Sequence, residues 1–452
     1  FAAQMAQQQP AAWRTAHSRM FDHLQESAEE QPDTLMALQP LYQAVTHGCL
    51  AGRYEEALNG VYWPRILRGP EFYAITKLGA VGADLGAITR FFDTPWSRVS
   101  ESLSTSNQSF LLSQAAYCLR ALGRLTEALQ PIRASWRMDV DAEDWVNASV
   151  SGGNLSELEL LLGNIDAAVS DAKQCISYAE RTAEHHLHVT TRTRLANTLH
   201  QSGLTSDALA LFAEAETIQG RVDATFPILY SLRGFQYCDA LLSEIECVTW
   251  REFMKKTGSR ASAEGPAAAH HEELLATVER RALQTLSWAQ TNRYASLLDI
   301  ALQQLTLGQI ACYRAVLAKL QARGTGQIGQ ADVEHLASRR INAAVTSLRR
   351  AGLVTHLVRG FLSRAQLCVV SNDFRSGEQD LNEAWQISER GPMRLHMADI
   401  HLNRARLFHA VKPYPWESPH KDLISARKHI EQCGYWRRRD ELEDTEAAAR
   451  EW

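Results

Sequence analysis

The sequence predicts an all-α fold, a superhelical α-solenoid of helix-turn-helix repeats, on three observations. Segments with the same grammar recur at a step of 40 residues, with glycines in register at positions 123, 163 and 203. Apolar residues flank each glycine at helical spacing, as Leu111, Leu112, Ala115 and Leu119 do before Gly123. No run alternates with period two over a length that makes a strand. A chain of 452 residues is also too long for one hydrophobic core, and stacked hairpins avoid that limit because each needs only its neighbours.

Within the repeat, small side chains hold fixed places: Ala116 before Gly123 and Ala128 after it, then Ser156, Gly163 and Ala168, then Ala196, Gly203 and Ala208. Seven residues beyond each alanine comes another small residue, Ser135, Cys175 or Ala215. Two antiparallel helices approach to about 8 Å only when the residues at the crossing are this small. The glycine supplies the left-handed residue that ends the first helix. The pattern resembles the tetratricopeptide repeat, with a longer period, no helix-A tryptophan, no closing proline, and Glu159 where a large apolar residue is usual. A fourth unit fits at Gly52-Arg-Tyr54-Glu-Glu-Ala57, where Val45 and Pro64 replace two small positions, and a fifth at Asn372-Asp-Phe374-Arg-Ser-Gly377.

In chain order, residues 1–39 read as lead-in helices, with a polar helix over 11–31 and a second one started by Gln31-Pro32-Asp33. Residues 40–256 form the repeat array. Inside it, 67–107 is less regular, with a glycine-rich helix over 79–86 and a loop at Asp93-Thr-Pro95-Trp96, and 226–256 reads as a helix pair. Residues 257–271 have the composition of a flexible loop. Residues 272–452 continue the array: helices to about 322, a glycine-rich turn at 324–329, then helices over 332–351, 353–371, 374–389, 392–411 and 420–432. A rigid proline loop spans 412–419, and a capping helix closes the chain over 435–452.

Composition narrows the function. A net charge of -5 offers no general attraction to nucleic acid or anionic lipid, so neither is expected as a partner. No apolar stretch approaches the length of a membrane helix. The eight cysteines are never closer than nine residues and read as reduced, mostly buried thiols of a cytoplasmic protein. Gly324-Thr-Gly326-Gln-Ile-Gly329 matches a dinucleotide fingerprint, but it follows a helix instead of a strand and reads as a turn. There is no phosphate-binding GxxxxGK[ST] and no GxSxG. His185, His186 and His188, like His270 and His271, lack further metal ligands at the right spacing and read as solvated helix starts. No catalytic, cofactor or metal site is expected, and the chain reads as a non-enzyme. Arg339, Arg340, Arg349 and Arg350 make one helix basic. Trp436-Arg437-Arg438-Arg439 is a second basic patch, offset at once by Asp440, Glu441, Glu443 and Asp444, and suits a solvated face or an intramolecular contact.

The repeat resemblance implies a concave groove lined by fixed positions of each first helix. Those positions are Ser113, Tyr117 and Arg120, then Gly153, Glu157 and Leu160, then Thr193, Asn197, His200 and Gln201. The basic helix around Arg339–Arg350 competes with this groove as the binding face.

Non-repeat segments carry a second likeness: Gln39-Pro-Leu-Tyr-Gln-Ala-Val-Thr-His-Gly, Glu71-Phe-Tyr-Ala-Ile-Thr-Lys-Leu-Gly-Ala, Tyr230-Ser-Leu-Arg-Gly-Phe-Gln-Tyr-Cys-Asp and Cys433-Gly-Tyr-Trp-Arg-Arg-Arg-Asp-Glu. With Asn154-Leu-Ser-Glu-Leu-Glu-Leu, they resemble the C-terminal sensor region of large bacterial signal-transduction ATPases of the NACHT and STAND type. That resemblance implies a protein or peptide trigger, an ATPase and an effector upstream of Phe1 in the same polypeptide, and a role in bacterial signalling or antiphage defence. A constitutive protein–protein scaffold is the alternative reading, and an all-α hydrolase the third.

Overall fold

The computed structural model describes residues 2–255, 266–292, 295–322 and 330–452. The glycine-rich turn at 324–329 and residues 257–265 of the expected loop lie outside them. The chain divides into two compact units, Phe1–Ser151 with Arg350–Gly352, and Gly152–Arg349 with Leu353–Trp452. Both are built of antiparallel helix hairpins.

The first unit opens with α1 (Ala2–Gln8), α2 (Pro10–Ser27) and α3 (Leu35–Leu50). Thr34 starts α3 by accepting a hydrogen bond from the Ala37 amide at 3.2 Å. A short α4 (Tyr54–Glu56) then widens into a π-helix over Ala57–Ile66, with Pro64 and its missing N–H inside. The fourth repeat unit therefore keeps its turn and Ala57, while the helix in which Pro64 stands for the second small residue changes its winding. Next come α5 (Tyr73–Thr76) and α6 (Val81–Ile88). A two-stranded antiparallel ribbon of β1 (Phe92–Thr94) and β2 (Arg98–Val99) flanks the expected loop at 93–96, where strands were not expected. The first clean hairpin follows as α7 (Thr105–Ala121) and α8 (Leu125–Asp141). The helix α9 (Trp145–Leu162) carries the chain across the unit boundary.

A buried polar knot sits in this first core. Asp84 of α6 is fully buried and accepts hydrogen bonds from the Tyr62 hydroxyl at 2.8 Å and the Gln114 amide at 3.1 Å, with the Cys118 thiol at 3.5 Å. Its Oδ1 has no partner, and neither has the Tyr42 hydroxyl. Burial pushes the Asp84 carboxyl up from 3.8 to about 6, against the pull of those hydrogen bonds.

The second unit continues with α10 (Ile165–Ala179), α11 (His185–Gln201), α12 (Thr205–Val222) and α13 (Ser231–Met254). The described part of this segment, 226–255, thus holds the one helix α13 and not a pair: Pro227 holds the lead-in out of helix, and nothing breaks the apolar period afterwards. Then come α14 (Pro266–Thr291), α15 (Leu297–Ala322), α16 (Gln330–Ala351), α17 (Val354–Val370), α18 (Phe374–Arg390), α19 (Arg394–Phe408) and α20 (Pro419–Cys433). A 3-10 turn over Trp436–Arg438 leads into α21 (Arg439–Ala449).

The packing code holds at the three clean hairpins, and the turn conformation at all five predicted ones. The five turn residues all adopt left-handed backbone, at φ 80° for Gly52, 78° for Gly123, 85° for Gly163, 83° for Gly203 and 63° for Asn372. Ala128, Ala168 and Ala208 are fully buried, as are Cys175 and Ala215. Ser156 donates to the Ala168 carbonyl at 2.7 Å, so α9 and α10 touch backbone to side chain. Replacing Ala168 with leucine adds three carbons where no space exists. It is expected to lower stability by about 1–3 kcal/mol, read from the shift in denaturant midpoint.

The second unit also returns on itself. Leu160, Ile165 and Ala168 of its first hairpin share one apolar cluster with Leu395, Leu402 and Leu423 of its last, and with Tyr435 and Leu442 beyond them. Two turn glycines lie under this returning segment. A Cβ on Gly163 would come within 2.5 Å of the Cys433 sulfur, and one on Gly203 within 2.8 Å of the Trp436 Cβ. Glycine is required there twice over, for its positive φ and for the close approach.

Candidate binding groove

Helical spacing brings the expected positions of α11 onto one face: Thr193, Asn197, His200 and Gln201 are all buried. Facing them, α13 presents Asp239 and Glu246, two turns apart. The same spacing sets Asp399 and Arg406 on one face of α19. Arg359 comes from α17. Of these side chains, Gln201, Asp239, Glu246 and Asp399 grip another part of the chain. After α20, Gly434 turns the backbone at φ 67°, and residues 435–438 enter between the helices.

Two arginines carry the contact. Arg437 donates to both oxygens of Asp239, at 2.7 and 3.2 Å, to Glu246 at 3.1 Å and to the Gln201 side-chain carbonyl at 3.4 Å. Arg438 donates to Asp399 at 2.8 Å and to Glu441, and lies 2.9 Å from Glu246. Arg359 adds a further bond to Asp239, and Arg406 donates to Glu441 at 2.5 Å while its guanidinium lies 4.8 Å from the Trp250 ring centroid. The Tyr435 hydroxyl donates to Asp399 at 3.2 Å. Four arginines therefore face four carboxylates, and the charges balance. Balance is what permits burial, because an unpaired ion out of water is costly.

The electrostatics follow from that arrangement. Burial alone raises the Asp239 carboxyl, but Arg359 and Arg437 more than offset it and hold the group well below the usual range. Asp399 is likewise raised by burial and lowered further by Arg438, with a net depression. Glu441 follows the same pattern, under Arg438 and Arg406. Burial disfavours the charged form of Arg437, yet Asp239 and Glu246 keep it protonated.

The contact leaves some buried groups unserved. His200 is completely buried, lies 3.9 Å from Asp239, and makes no hydrogen bond from either ring nitrogen. Burial first, and Arg437 second, hold it neutral. The Arg437 Nε is also without a partner.

The remaining expected groove residues sit as follows. Ser113, Tyr117 and Arg120 belong to the first unit and are half-buried, with the Arg120 guanidinium 5.7 Å from the Tyr117 ring. Glu157 is paired with Arg194 at 3.3 Å, and that same guanidinium fills the space over Gly153. Leu160 is part of the apolar cluster under Tyr435. On α16, Arg340 pairs with Glu279 at 2.9 Å and Arg349 with Glu383 at 2.7 Å. His186 lies 3.3 Å from Glu184, and His271 lies 3.6 Å from Glu244. All eight cysteines are free thiols, six of them buried. No helix among the described residues is long and apolar enough to cross a membrane.

Sequence reasoning placed Asn197, His200 and Gln201 on this face but missed Asp239, Glu246, Arg359, Asp399 and Arg406. The available signal was the seven-residue spacing of acid with acid on α13 and of acid with arginine on α19, on faces otherwise apolar.

No protein-family model and no curated protein matches the chain. Among solved structures, it is similar to the yeast Tom70 crystal structure at 11% identity, over 73% of this chain and 85% of that one, with a TM-score of 0.24. The hairpin architecture described above rests on this chain's own packing.

Proposed function

We propose that the chain is a non-catalytic, protein-binding helical-repeat module, and that it serves as the C-terminal sensor of a NACHT- or STAND-type ATPase in bacterial signalling or antiphage defence. The observation that carries the binding role is the grip of α11, α13 and α19 on residues 435–438. The inner helix faces hold a length of polypeptide through side-chain recognition, with carboxylates reading arginines and an apolar floor under an aromatic residue. The sensor assignment rests on the sequence resemblance. The trigger is a protein or peptide, and the ATPase and effector belong to the same cytoplasmic polypeptide. In the first unit, Ser113, Tyr117 and Arg120 offer a half-exposed hydroxyl, an aromatic ring and a cation to such a ligand; in the second, Glu157, Thr193, Asn197, His200 and Gln201 are the positions to test.

Two measurements test this. Peptide display on the whole chain is expected to select a family of segments whose affinity falls at least tenfold in Tyr117→Ala or Arg120→Ala, about 1.4 kcal/mol, with helicity unchanged. No selected family, or affinities indifferent to both changes, overturns the first-unit groove. Reading the codons upstream of Phe1 separates the two roles: a phosphate-binding GxxxxGK[ST] segment supports the sensor, and its absence leaves a constitutive scaffold.

A further inference from the structure

The tail contact is strong in charge and incomplete in hydrogen bonding. Buried polar groups are nearly always paired, and each exception in a core calls for a physical reason. Polar atoms go unpaired at this contact, among them both ring nitrogens of His200 and the Nε of Arg437. The ring is 0% exposed and sits beside the Asp239 carboxylate that receives Arg437. A segment tethered to its own groove is held by its high effective concentration, so it needs no perfect fit. A free segment enjoys no such advantage and must gain from the contacts that the tether leaves unmade.

The occupant also defines what fits. Tyr435 is buried in the apolar cluster with Leu160, Leu402 and Leu442, and its hydroxyl reaches Asp399. Trp436 points outward, 38% exposed, with the Arg439 guanidinium 4.6 Å from its ring centroid. The Arg437 and Arg438 side chains are then buried. The recognised pattern is an aromatic residue, one free position, and two consecutive arginines.

We propose that the acidic groove of Asp239, Glu246 and Asp399 is a binding site for a partner segment of the form aromatic-x-Arg-Arg, and that residues 435–438 are its exchangeable intramolecular occupant. This rests on the protein-binding reading above and names the ligand class for the second unit. Displacement of the tail uncovers the apolar cluster, so the partner must refill the tyrosine site as well as both arginine sites.

The test uses the whole chain and an isotope-labelled synthetic peptide of its residues 434–449. Hydrogen exchange is followed by mass spectrometry. At saturating peptide, the chain's own residues 435–449 are expected to lose protection at least tenfold while α11 and α13 keep theirs. The same peptide with alanine at 437 and 438 is expected to have no effect. Fluorescence anisotropy provides the second readout: Trp436→Ala, which loosens the tail over Gly203 without touching a groove charge, should tighten binding of the labelled peptide at least fivefold. A tail that exchanges only together with α11 and α13, unmoved by millimolar peptide in both proteins, overturns the proposal. Display that selects segments without paired arginines overturns it too, yet leaves the protein-binding reading standing.

Discussion

Arg438→Met is expected to destabilise the second unit by about 3–5 kcal/mol, the usual consequence of deleting one partner from a buried ion pair. The side chain touches Asp399, Glu246 and Glu441, and all three carboxylates are shielded from water. Methionine fills much of the volume but neutralises nothing, leaving four carboxylates against three arginines. Urea denaturation at pH 7.5 followed by circular dichroism reads the change. The loss should shrink as pH falls through 4, because the carboxylates that Arg438 holds ionised are depressed in the folded state. Groups with depressed folded values stabilise above their unfolded value, near 4, and lose that contribution in acid. A loss below about 1 kcal/mol at pH 7.5 would mean that the four-on-four cluster is not the second unit's electrostatic centre.

The first unit should respond in the opposite direction. Asp84→Asn is expected to stabilise it by about 1–3 kcal/mol at pH 8. The carboxyl rises from 3.8 to about 6 on folding, and a rise of that size corresponds to about 3 kcal/mol, from which the cost of the unpaired asparagine amide is subtracted. A raised folded value means that stability is fully present below about pH 4 and is lost as pH climbs to 6. The gain in the asparagine variant should therefore be near zero at pH 3.5, grow between 4 and 6, and stay constant above. Thermal melts of the two proteins across that range decide it. A variant less stable than the parent at pH 8 would show that the Tyr62 and Gln114 hydrogen bonds need a full negative charge.

How much of this was legible depended on how far apart the interacting residues lie. The hairpins were readable because their grammar is local: Gly163 and Ala168 are five residues apart, and their meaning does not depend on anything distant. Even the degenerate Asn372 unit could be placed from its own turn. The groove was only half readable. Asn197, His200 and Gln201 were named from the repeat resemblance alone, whereas Asp239 and Arg406 look like ordinary surface charges until the tail arrives. Gln201 and Arg437 meet across 236 positions, a separation at which periodicity carries no information. The helix pair expected over 226–256 failed for a different reason. Gly234 could have marked the break between two helices, but in α13 it stays helical and makes room for the Leu229 carbonyl.

The return of the last helices onto the first hairpin of the second unit has a consequence for how this protein comes to be folded. An open array can nucleate at any hairpin and grow outward, and it can fray from either end. Joining Arg437 to Asp239 across 198 positions removes that freedom and adds a large loop-closure step. During synthesis, α13 leaves the ribosome with Asp239 and Glu246 long before their arginines exist. Those carboxylates must wait in water until their arginines arrive, so the contact at Asp239 forms late, after the hairpins around it.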